Sequence, residues 1–195
     1  MNTRQLGGTG PRVSMIGLGA MGMSDLYGPA DETESIATIR AALDAGVTLI
    51  DTGDFYGTGH NELLIAGALK GRDRDSVTLS VKFGDDFRAI SPRFRGKHLE
   101  HNLALVERLR AIADDRGATV AQLAIAWVLS RGADVVALVG ARRRERLDEA
   151  LGASGLELTT AELERIEAAV PAGAAAGARY VEPLMAELDS ERRAV

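Results

Sequence analysis

The sequence predicts an α/β fold, because short apolar runs alternate with stretches of helical periodicity along its first half. The apolar runs begin near positions 15, 47 and 77, and a helical stretch separates each run from the next. One helix between consecutive strands is typical of parallel strands joined by right-handed crossovers. In such folds, ligands bind at the carboxyl ends of the strands and in the loops that follow them.

The elements of the first half begin and end at recognisable signals. Asp31 is a helix N-cap with Glu34 three residues later, as in a capping box, and Gly46 ends that helix. Ile36 and Ile39 give the same helix an apolar face at helical spacing. In chain order we predict a hairpin over 4–14, a strand over 15–19, this helix, a strand over 47–50 that Asp51 closes, a helix over 61–70, and a strand over 77–81 with Lys82 at its end.

The second half begins with a polar, arginine-rich stretch over 85–97, which indicates a loop. After it we predict helices over 99–116 and 119–131, a fourth strand over 135–139 and a helix over 143–151. Thr159 and Glu162 form a second capping box, which opens a helix to about residue 170. One short helix is expected within 181–195. We predict a single domain over 1–195, in which 1–84 supply three strand–helix units and 85–195 supply the remaining helices and the last strand.

Composition and charge argue against several classes of function. Apolar residues make up 46% and charged residues 26% of the 195 residues, as in ordinary globular domains. The net charge of −5 argues against a nucleic-acid partner, which requires a concentrated basic face. The apolar runs are too short to span a bilayer, and no cysteine is present to form a disulfide or a thiolate metal site. We therefore expect a cytoplasmic protein without a membrane or nucleic-acid partner.

The segment 50–62, IDTGDFYGTGHNE, contains residues that suggest catalysis. Asp51 follows a predicted strand, Tyr56 lies in the glycine-rich loop after it, and Lys82 ends the next strand. The three side chains are therefore expected together at the carboxyl ends of the strands. A carbonyl that accepts a hydride needs a proton donor, and a phenol with an ordinary pKa of ~10 donates poorly at neutral pH. A neighbouring ammonium lowers that pKa, and a carboxylate keeps the ammonium charged. Tyr56 would then be the general acid, Lys82 the residue that lowers the pKa of its phenol, and Asp51 the carboxylate that holds the lysine.

Each of these residues also has an ordinary structural explanation. An aspartate after a strand is often a helix cap or a loop former, and a tyrosine in a loop is often a residue at the rim of a fold. The occurrence of all three at successive strand ends favours catalysis. On the residues alone, both interpretations stay open.

Three motifs in this half resemble successive signatures of the aldo-keto reductases, a family of NADPH-dependent carbonyl reductases. The motifs are GLGAMGMS at 17–24, IDTGDFYGTGHNE at 50–62 and SVKFG at 80–84. The resemblance implies a (β/α)8 TIM barrel, NADP(H) as cofactor and a small aldehyde or ketone as substrate. It also implies that Asp51, Tyr56 and Lys82 are three of the family's four catalytic residues.

The second half resembles the carboxyl-terminal end of the same family, in PRF at 92–94, AQLAIAWVLSRG at 121–132 and VGARRRERLDEALGA at 139–153. In the family, the loop and helix after the last strand bind the adenosine 2′-phosphate of NADPH, and both helix N-termini and arginines suit phosphate. The residues that match this motif are Gly140, Arg142, Arg143, Arg146 and Glu149. The family usually has Asn where this chain has Ala150. On the residues alone, a solvated arginine-rich helix face is the alternative.

The resemblance covers nearly the whole chain but not the whole family fold. Four of the eight barrel strands have counterparts, and in a closed barrel these would be neighbours in the order 8-1-2-3, with outer helices and a preceding N-terminal β-hairpin. The family's catalytic His and the residues that hold the nicotinamide have no counterpart. His98 and His101 lie in another motif context, and we expect them to be surface residues rather than a catalytic His or a metal pair.

Two functions remain open at this point. The first is NADPH-dependent reduction of an aldehyde or ketone, with Tyr56 as proton donor. The second is a non-catalytic, truncated family member that acts as a NADP-binding or assembly module. An open sheet of four strands would expose two edges and an apolar inner face, from which we expect a homodimer in which two halves close one barrel.

Overall fold

The computed structural model describes residues 1–24, 28–82, 92–178 and 185. The strands are β1 (Thr3–Gln5), β2 (Arg12–Ser14), β3 (Ile16–Gly19), β4 (Leu49–Gly53), β5 (Thr78–Lys82) and β6 (Ala137–Gly140). The α-helices are α1 (Glu32–Asp44), α2 (His60–Leu69), α3 (Gly96–Asp115), α4 (Val120–Leu129), α5 (Arg144–Gly152) and α6 (Thr160–Ala169). Each strand and helix predicted within these ranges is present, with ends shifted by a few residues. The helix expected within 181–195, and most of the loop predicted over 85–97, lie outside the described residues.

Four of the strands form one parallel sheet in the order β5-β4-β3-β6. Counted from the carboxyl-terminal strand, this is the order 8-1-2-3 predicted for a partial (β/α)8 barrel with outer helices, and that prediction is confirmed. The pairing aligns Gly19 with both Asp51 and Gly140, and it aligns Asp51 with Ser80. These residues stand at one level of the sheet and face the same side, because side chains alternate between the two faces along each strand.

A two-stranded hairpin precedes the sheet, as predicted. Strands β1 and β2 pair antiparallel, with Arg4 opposite Val13. The Arg4 guanidinium donates hydrogen bonds to the carbonyl oxygens of Leu129, Gly132 and Val135 at 2.7–2.9 Å. It satisfies carbonyl groups at the end of α4 and in the turn before β6, where the helix itself offers no partner. The hairpin therefore stabilises the connection that leads into β6.

The main core lies between the sheet and helices α1, α2 and α5. Leu18 and Ile50 contribute the helix-facing side of β3 and β4, and Ile39, Leu64 and Leu147 come from the three helices. Each of these side chains is at most 3% exposed. Burial of one such side chain contributes about 1.5–3 kcal/mol, so this core is the main force that holds the strands in register.

The two predicted capping boxes have different outcomes. At α6, the Thr159 side chain accepts the backbone N–H of Glu162, and the Glu162 carboxylate accepts the backbone N–H of Thr159, which completes the box. At α1, Asp31 accepts the backbone N–H of Glu34 at 2.7 Å, but the Glu34 carboxylate turns to Arg144. The prediction of a complete box at α1 is therefore wrong in its second bond, because a guanidinium is a stronger partner for a carboxylate than a backbone N–H.

The chain divides into two compact units. The first comprises Met1–Gly84 and Ala121–Leu158 and contains the hairpin and the parallel sheet. The second comprises Asp85–Val120 and Thr159–Val195 and contains α3 and α6. All the predicted catalytic and cofactor-binding residues belong to the first unit, and a single domain over 1–195 stays a prediction. None of the helices in the described part of the chain is long and apolar enough to cross a membrane.

Candidate active site

Asp51 and Lys82 meet on the adjacent strands β4 and β5. The Lys82 ammonium donates to Asp51 Oδ1 in an ion pair, and the Ser80 hydroxyl donates to Asp51 Oδ2 at 3.0 Å. The Asp51 side chain is 8% exposed, whereas the Lys82 side chain is 48% exposed. A buried carboxylate needs such partners, since its ionised form would otherwise be strongly disfavoured. The aspartate is thus a fixed anchor inside the sheet, and the lysine extends from it toward the surface.

The position of Asp51 within its strand corrects one prediction. Strand β4 continues through Thr52 to Gly53, so Asp51 lies inside the strand and does not close it. Its pairing with β5 extends equally far, with Gly53 opposite Lys82. The apolar run ends earlier than the strand because Asp51, Thr52 and Gly53 are polar residues or glycine. They interrupt the apolar pattern, but their pairing with β5 continues.

Tyr56 lies in the turn directly after β4. Its backbone N–H donates to the Gly53 carbonyl oxygen at 3.1 Å, and a Cβ added at Gly53 would stand 3.2 Å from Cε1 of the tyrosine ring. Glycine at this position therefore lets the ring pack closely against the end of the strand. Tyr56 is 1% exposed, and the Nζ atom of Lys82 lies 6.0 Å from the centroid of its ring. The three residues predicted as catalytic are close together, and the tyrosine is an interior residue.

The loop that follows Tyr56 has a conformation that few sequences allow. Gly57, Thr58 and Gly59 have left-handed φ angles of 63°, 52° and 91°. A β-branched residue such as threonine rarely adopts this region, and the strain persists only where neighbouring structure holds it. The glycines on either side accept the same conformation easily. The loop thus turns sharply away from Tyr56 and begins α2 at His60.

A buried polar network that the sequence did not reveal holds the start of α2. The Asn61 amide donates to the Ala20 carbonyl oxygen at 2.9 Å and to the Ser24 hydroxyl at 2.8 Å. Its carbonyl oxygen accepts the Thr52 hydroxyl at 2.6 Å. Ser24 also lies 3.0 Å from Nδ1 of His60. The network joins both ends of the loop that contains Tyr56 to β4 and to the end of β3. Ala20 and Ser24 lie 41 and 37 positions from Asn61, too distant for a local motif to reveal.

The residues predicted to bind the cofactor lie at the end of β6 and the start of α5. Gly140 is the last residue of β6, and a Cβ added to it would meet no atom within 4 Å. Arg142 donates to the Gly28 carbonyl oxygen at 3.0 Å, and Arg143 is the exposed N-cap residue of α5. Both arginines line a cavity of about 300 Å³. The other residues that line it are Pro29, Ala30, Asp31 and Glu34.

A carboxylate of the chain itself occupies the N-terminus of α5. Glu34 accepts the backbone N–H of Arg144 at 3.2 Å and two bonds from its guanidinium at 2.9 and 3.1 Å. The guanidinium hydrogen bonds hold the pKa of Glu34 below its usual value. Arg144 was not among the predicted cofactor-binding residues, since the two partners lie 110 positions apart and no local motif connects them.

The next turn of α5 contains the remaining predicted residues. Arg146 donates to the Glu149 carboxylate at 2.8 Å, and the side chain of the arginine is 72% exposed. Glu149 therefore orients Arg146 along the helix surface. Ala150 stands where the resemblance led us to expect Asn. It is 7% exposed and packs in a second cluster of buried residues, together with Ile16 and Val139. This position serves the core, and it offers no polar group to a ligand.

His98 and His101 lie on α3, in the second unit, and both are exposed. His101 Nε2 is 2.9 Å from the carbonyl oxygen of Ala174. Their exposure agrees with the expectation that they are surface residues. Among the described residues, no group of three or more His, Cys, Asp or Glu side chains could hold a metal ion.

The chain shares its fold with solved aldo-keto reductases. A thermostable aldo-keto reductase in complex with the inhibitor epalrestat matches 87% of this chain and 100% of its own chain, at 20% identity and a TM-score of 0.67. A glycerol dehydrogenase from Gluconobacter oxydans matches 86% of this chain and 94% of its own, at 19% identity and a TM-score of 0.65. An aldo-keto reductase from Klebsiella pneumoniae, solved in complex with NADPH, matches 86% and 95%, at 19% identity and a TM-score of 0.64.

Sequence comparison agrees with the structural one. A probable aldo-keto reductase from Glycine max is 23% identical to 90% of this chain, across 91% of its own length. That alignment extends over 314 positions, far more than the 195 residues of this chain, so it contains long gaps on this side. The model of the aldo/keto reductase family matches residues 15–95 and 84–171, which together include most of the chain. The chain is therefore a member of the aldo/keto reductase family.

Proposed function

We propose that this chain reduces a small aldehyde or ketone with NADPH, and that Tyr56 donates the proton. The observation that carries the proposal is the contact of Asp51 with Lys82 on adjacent strands, with the lysine beside the Tyr56 ring. Membership of the family supports the reaction class. A cytoplasmic location, which we expect from the cysteine-free sequence, is consistent with this chemistry.

The proposed reaction gives each residue a distinct task. NADPH, when bound, supplies a hydride for the carbonyl carbon. The Tyr56 hydroxyl releases its proton to the carbonyl oxygen, which yields the alcohol, and solvent returns the proton to the tyrosine afterwards. The Lys82 ammonium stabilises the negative charge that develops on the phenol oxygen as its proton leaves. Asp51, held by Ser80, keeps the ammonium in place.

We infer that the adenosine 2′-phosphate of NADP(H) would bind at the start of α5, beside Gly140, Arg142, Arg143 and Arg146. The fit is supported by Glu34, whose carboxylate already accepts a hydrogen bond from a backbone N–H of this helix. A phosphate satisfies the same kind of donors with more oxygens. Glu149 would orient Arg146 toward it.

The first experiment follows the oxidation of NADPH by the purified chain in the presence of a reactive aromatic aldehyde. We expect Tyr56→Phe to lower turnover by about 100-fold or more, which is the usual contribution of a general acid. Lys82→Met should have a similar effect, because it removes the charge beside the phenol. The matched control is Lys70→Met, which removes an exposed lysine at the end of α2 and should leave turnover unchanged.

Two results would contradict the proposed mechanism. One is turnover that survives Tyr56→Phe at the wild-type rate. The other is an equal loss in the Lys70→Met and Lys82→Met variants, which would indicate a general effect of charge or folding.

The second candidate function is a non-catalytic module that binds NADP or assembles with other subunits. The 1% exposure of Tyr56 favours it, because a buried phenol can protonate only a carbonyl that enters the interior beside it. This candidate predicts binding of NADPH that weakens in Arg146→Ala, together with no turnover in the wild type. Turnover that depends on Tyr56 would exclude it.

A further inference from the structure

The parallel sheet has two open edges. Among the residues that the structure describes, β5 pairs only with β4, and β6 pairs only with β3. Each edge strand has an apolar side chain in an exposed position, since Val81 on β5 and Leu138 on β6 are both 50% exposed. Unpaired strand edges with apolar side chains are ready templates for pairing with another chain.

The two edges are complementary to each other. All strands of the sheet run parallel, so β5 of one copy and β6 of another can continue the sheet without a change of direction. A twofold rotation forms both such pairs at once and makes a sheet of eight parallel strands, the number at which a parallel sheet closes around a core filled by side chains. We propose that two copies of this chain close one barrel, with β5 of each copy paired to β6 of the other.

On the face of the sheet opposite the helices, one row of aligned residues forms apolar packing of the kind that fills a closed barrel. The pairing aligns Gly17 with Leu138, and Leu49 with Thr78, on the same side of the sheet. A Cβ added at Gly17 would stand 2.7 Å from Cδ2 of Leu138 and 3.0 Å from Cδ2 of Leu49, so the two leucines fill the space above this glycine. Leu49 is 4% exposed, whereas Leu138 lies on the edge strand and is half exposed. A second copy beside β6 would cover it.

The stagger of the strands predicts the register of the new pairs. Strands β6 and β3 end at the same level, at Gly140 and Gly19, and β4 and β5 end together two positions further, at Gly53 and Lys82. In a closed barrel of this type, following the strand pairing once around the barrel returns to the first strand with a shift of about eight residues, called the shear. Twofold symmetry assigns about four residues of this shift to each copy. The β5 position level with Ala137 is Val77, so the shift places Val81 of one copy opposite Ala137 of the other. Both residues face the helix side, as neighbours in a parallel pair must.

The first test is the mass of the purified chain in solution, measured by light scattering and sedimentation at micromolar concentrations. We expect twice the 20.6 kDa of one chain. Leu138→Asp and Val81→Asp should each give a monomer with unchanged far-ultraviolet circular dichroism, since both side chains are half exposed in the single copy. Leu63→Asp is the matched control, because Leu63 is 76% exposed on α2 and belongs to neither edge strand, and this variant should remain a dimer.

The second test uses the absence of cysteine from the sequence. Val81→Cys and Ala137→Cys are purified separately, mixed, allowed to exchange subunits and then oxidised. We expect a disulfide-linked dimer in the mixture and little in either variant alone, because the predicted pair joins position 81 of one copy to position 137 of the other. Adjacent strands have the Cα separation that a disulfide requires.

Three outcomes would overturn the proposal: a monomer over the whole concentration range, a dimer that both aspartate variants leave intact, or single cysteine variants that cross-link as readily as the mixture. Mass and cross-linking are measured without substrate or cofactor. The barrel proposal is therefore independent of the proposed reaction, and either can fail without the other.

Discussion

At the scale of single residues, the organisation of the candidate site depends on which partner each carboxylate has. Asp51 is bound by one lysine and one hydroxyl on the neighbouring strand. Glu34 could have completed a local capping box, and instead it binds Arg144 at the start of α5. The first arrangement anchors the proposed catalytic lysine. The second puts a negative charge where we infer that a phosphate binds, and this leads to a prediction about affinity.

We expect Glu34→Gln to bind NADPH severalfold more tightly than the wild type. The substitution removes a negative charge at the start of α5 that repels the 2′-phosphate, while the amide keeps the size of the side chain. Fluorescence titration with NADPH measures the change, and NADH, which lacks the 2′-phosphate, should bind both forms alike. The prediction depends on the inferred cofactor site.

The matched control for this prediction is Glu32→Gln, which removes an exposed carboxylate from the same turn of α1. Weaker binding of NADPH by Glu34→Gln would show that Glu34 supports the site and does not compete with its ligand. Equal gains in both glutamine variants would indicate a general effect of net charge.

At the scale of elements, the start of α2 depends on Asn61. This residue is fully buried and joins the helix to β4 and to the end of β3. We expect Asn61→Ala to lower the free energy of unfolding by about 2–3 kcal/mol, because the buried Thr52 hydroxyl would lose its acceptor, and the Ala20 carbonyl and the Ser24 hydroxyl would each lose a donor. Urea unfolding measures the change. Asn2→Ala, at an exposed position, should have little effect, and a similar loss in both variants would count against the network.

The capping box of α6 predicts a dependence of stability on pH. The hydrogen bond from Arg116, followed by those from Thr159, lowers the pKa of Glu162 to about 2 from an ordinary value of 4.5. The stabilisation from the ionised carboxylate is therefore fully present above pH 4.5, and it is lost as the pH falls toward 2. We expect thermal unfolding midpoints of wild type and Glu162→Gln to differ at pH 6 and to converge near pH 2.

The control for this pH dependence is Glu164→Gln, two residues further along α6 and exposed. Its midpoint should follow the wild type at every pH. A difference between wild type and Glu162→Gln that stays constant from pH 6 to pH 2 would mean that the amide fails for reasons of shape rather than charge.

At the scale of the whole molecule, the most consequential feature is an open sheet in a family whose barrels are closed. Four parallel strands with an apolar residue exposed at each edge leave the core of the first unit incomplete at the edges of the sheet. If two copies complete it, unfolding is coupled to dissociation, and the thermal midpoint should rise with protein concentration. In Leu138→Asp the midpoint should be independent of concentration, which gives the barrel proposal a thermodynamic measurement beside the mass.

Much of this architecture follows from local patterns in the sequence. The apolar runs, the glycines that end helices and the Thr159 cap are properties of neighbouring residues, so they predicted the strands and helices to within a few positions. The motifs around Asp51, Tyr56 and Lys82 indicated the family and, through it, the order of the strands. Residues that lie on successive parallel strands come together whatever the details of packing, and for this reason the contact of Asp51 with Lys82 could be anticipated.

The sequence by itself thus determined the α/β repeat, the family and the set of residues to be considered for chemistry. Only the tertiary structure decided that Asp51 lies inside β4, that Tyr56 is buried, that Asn61 connects three elements and that Glu34 binds Arg144. The physical reason is that these features depend on the register of strands and on contacts between residues far apart in the chain. Such contacts are chosen by competition among many possible partners, and that competition is settled only when the whole core is packed.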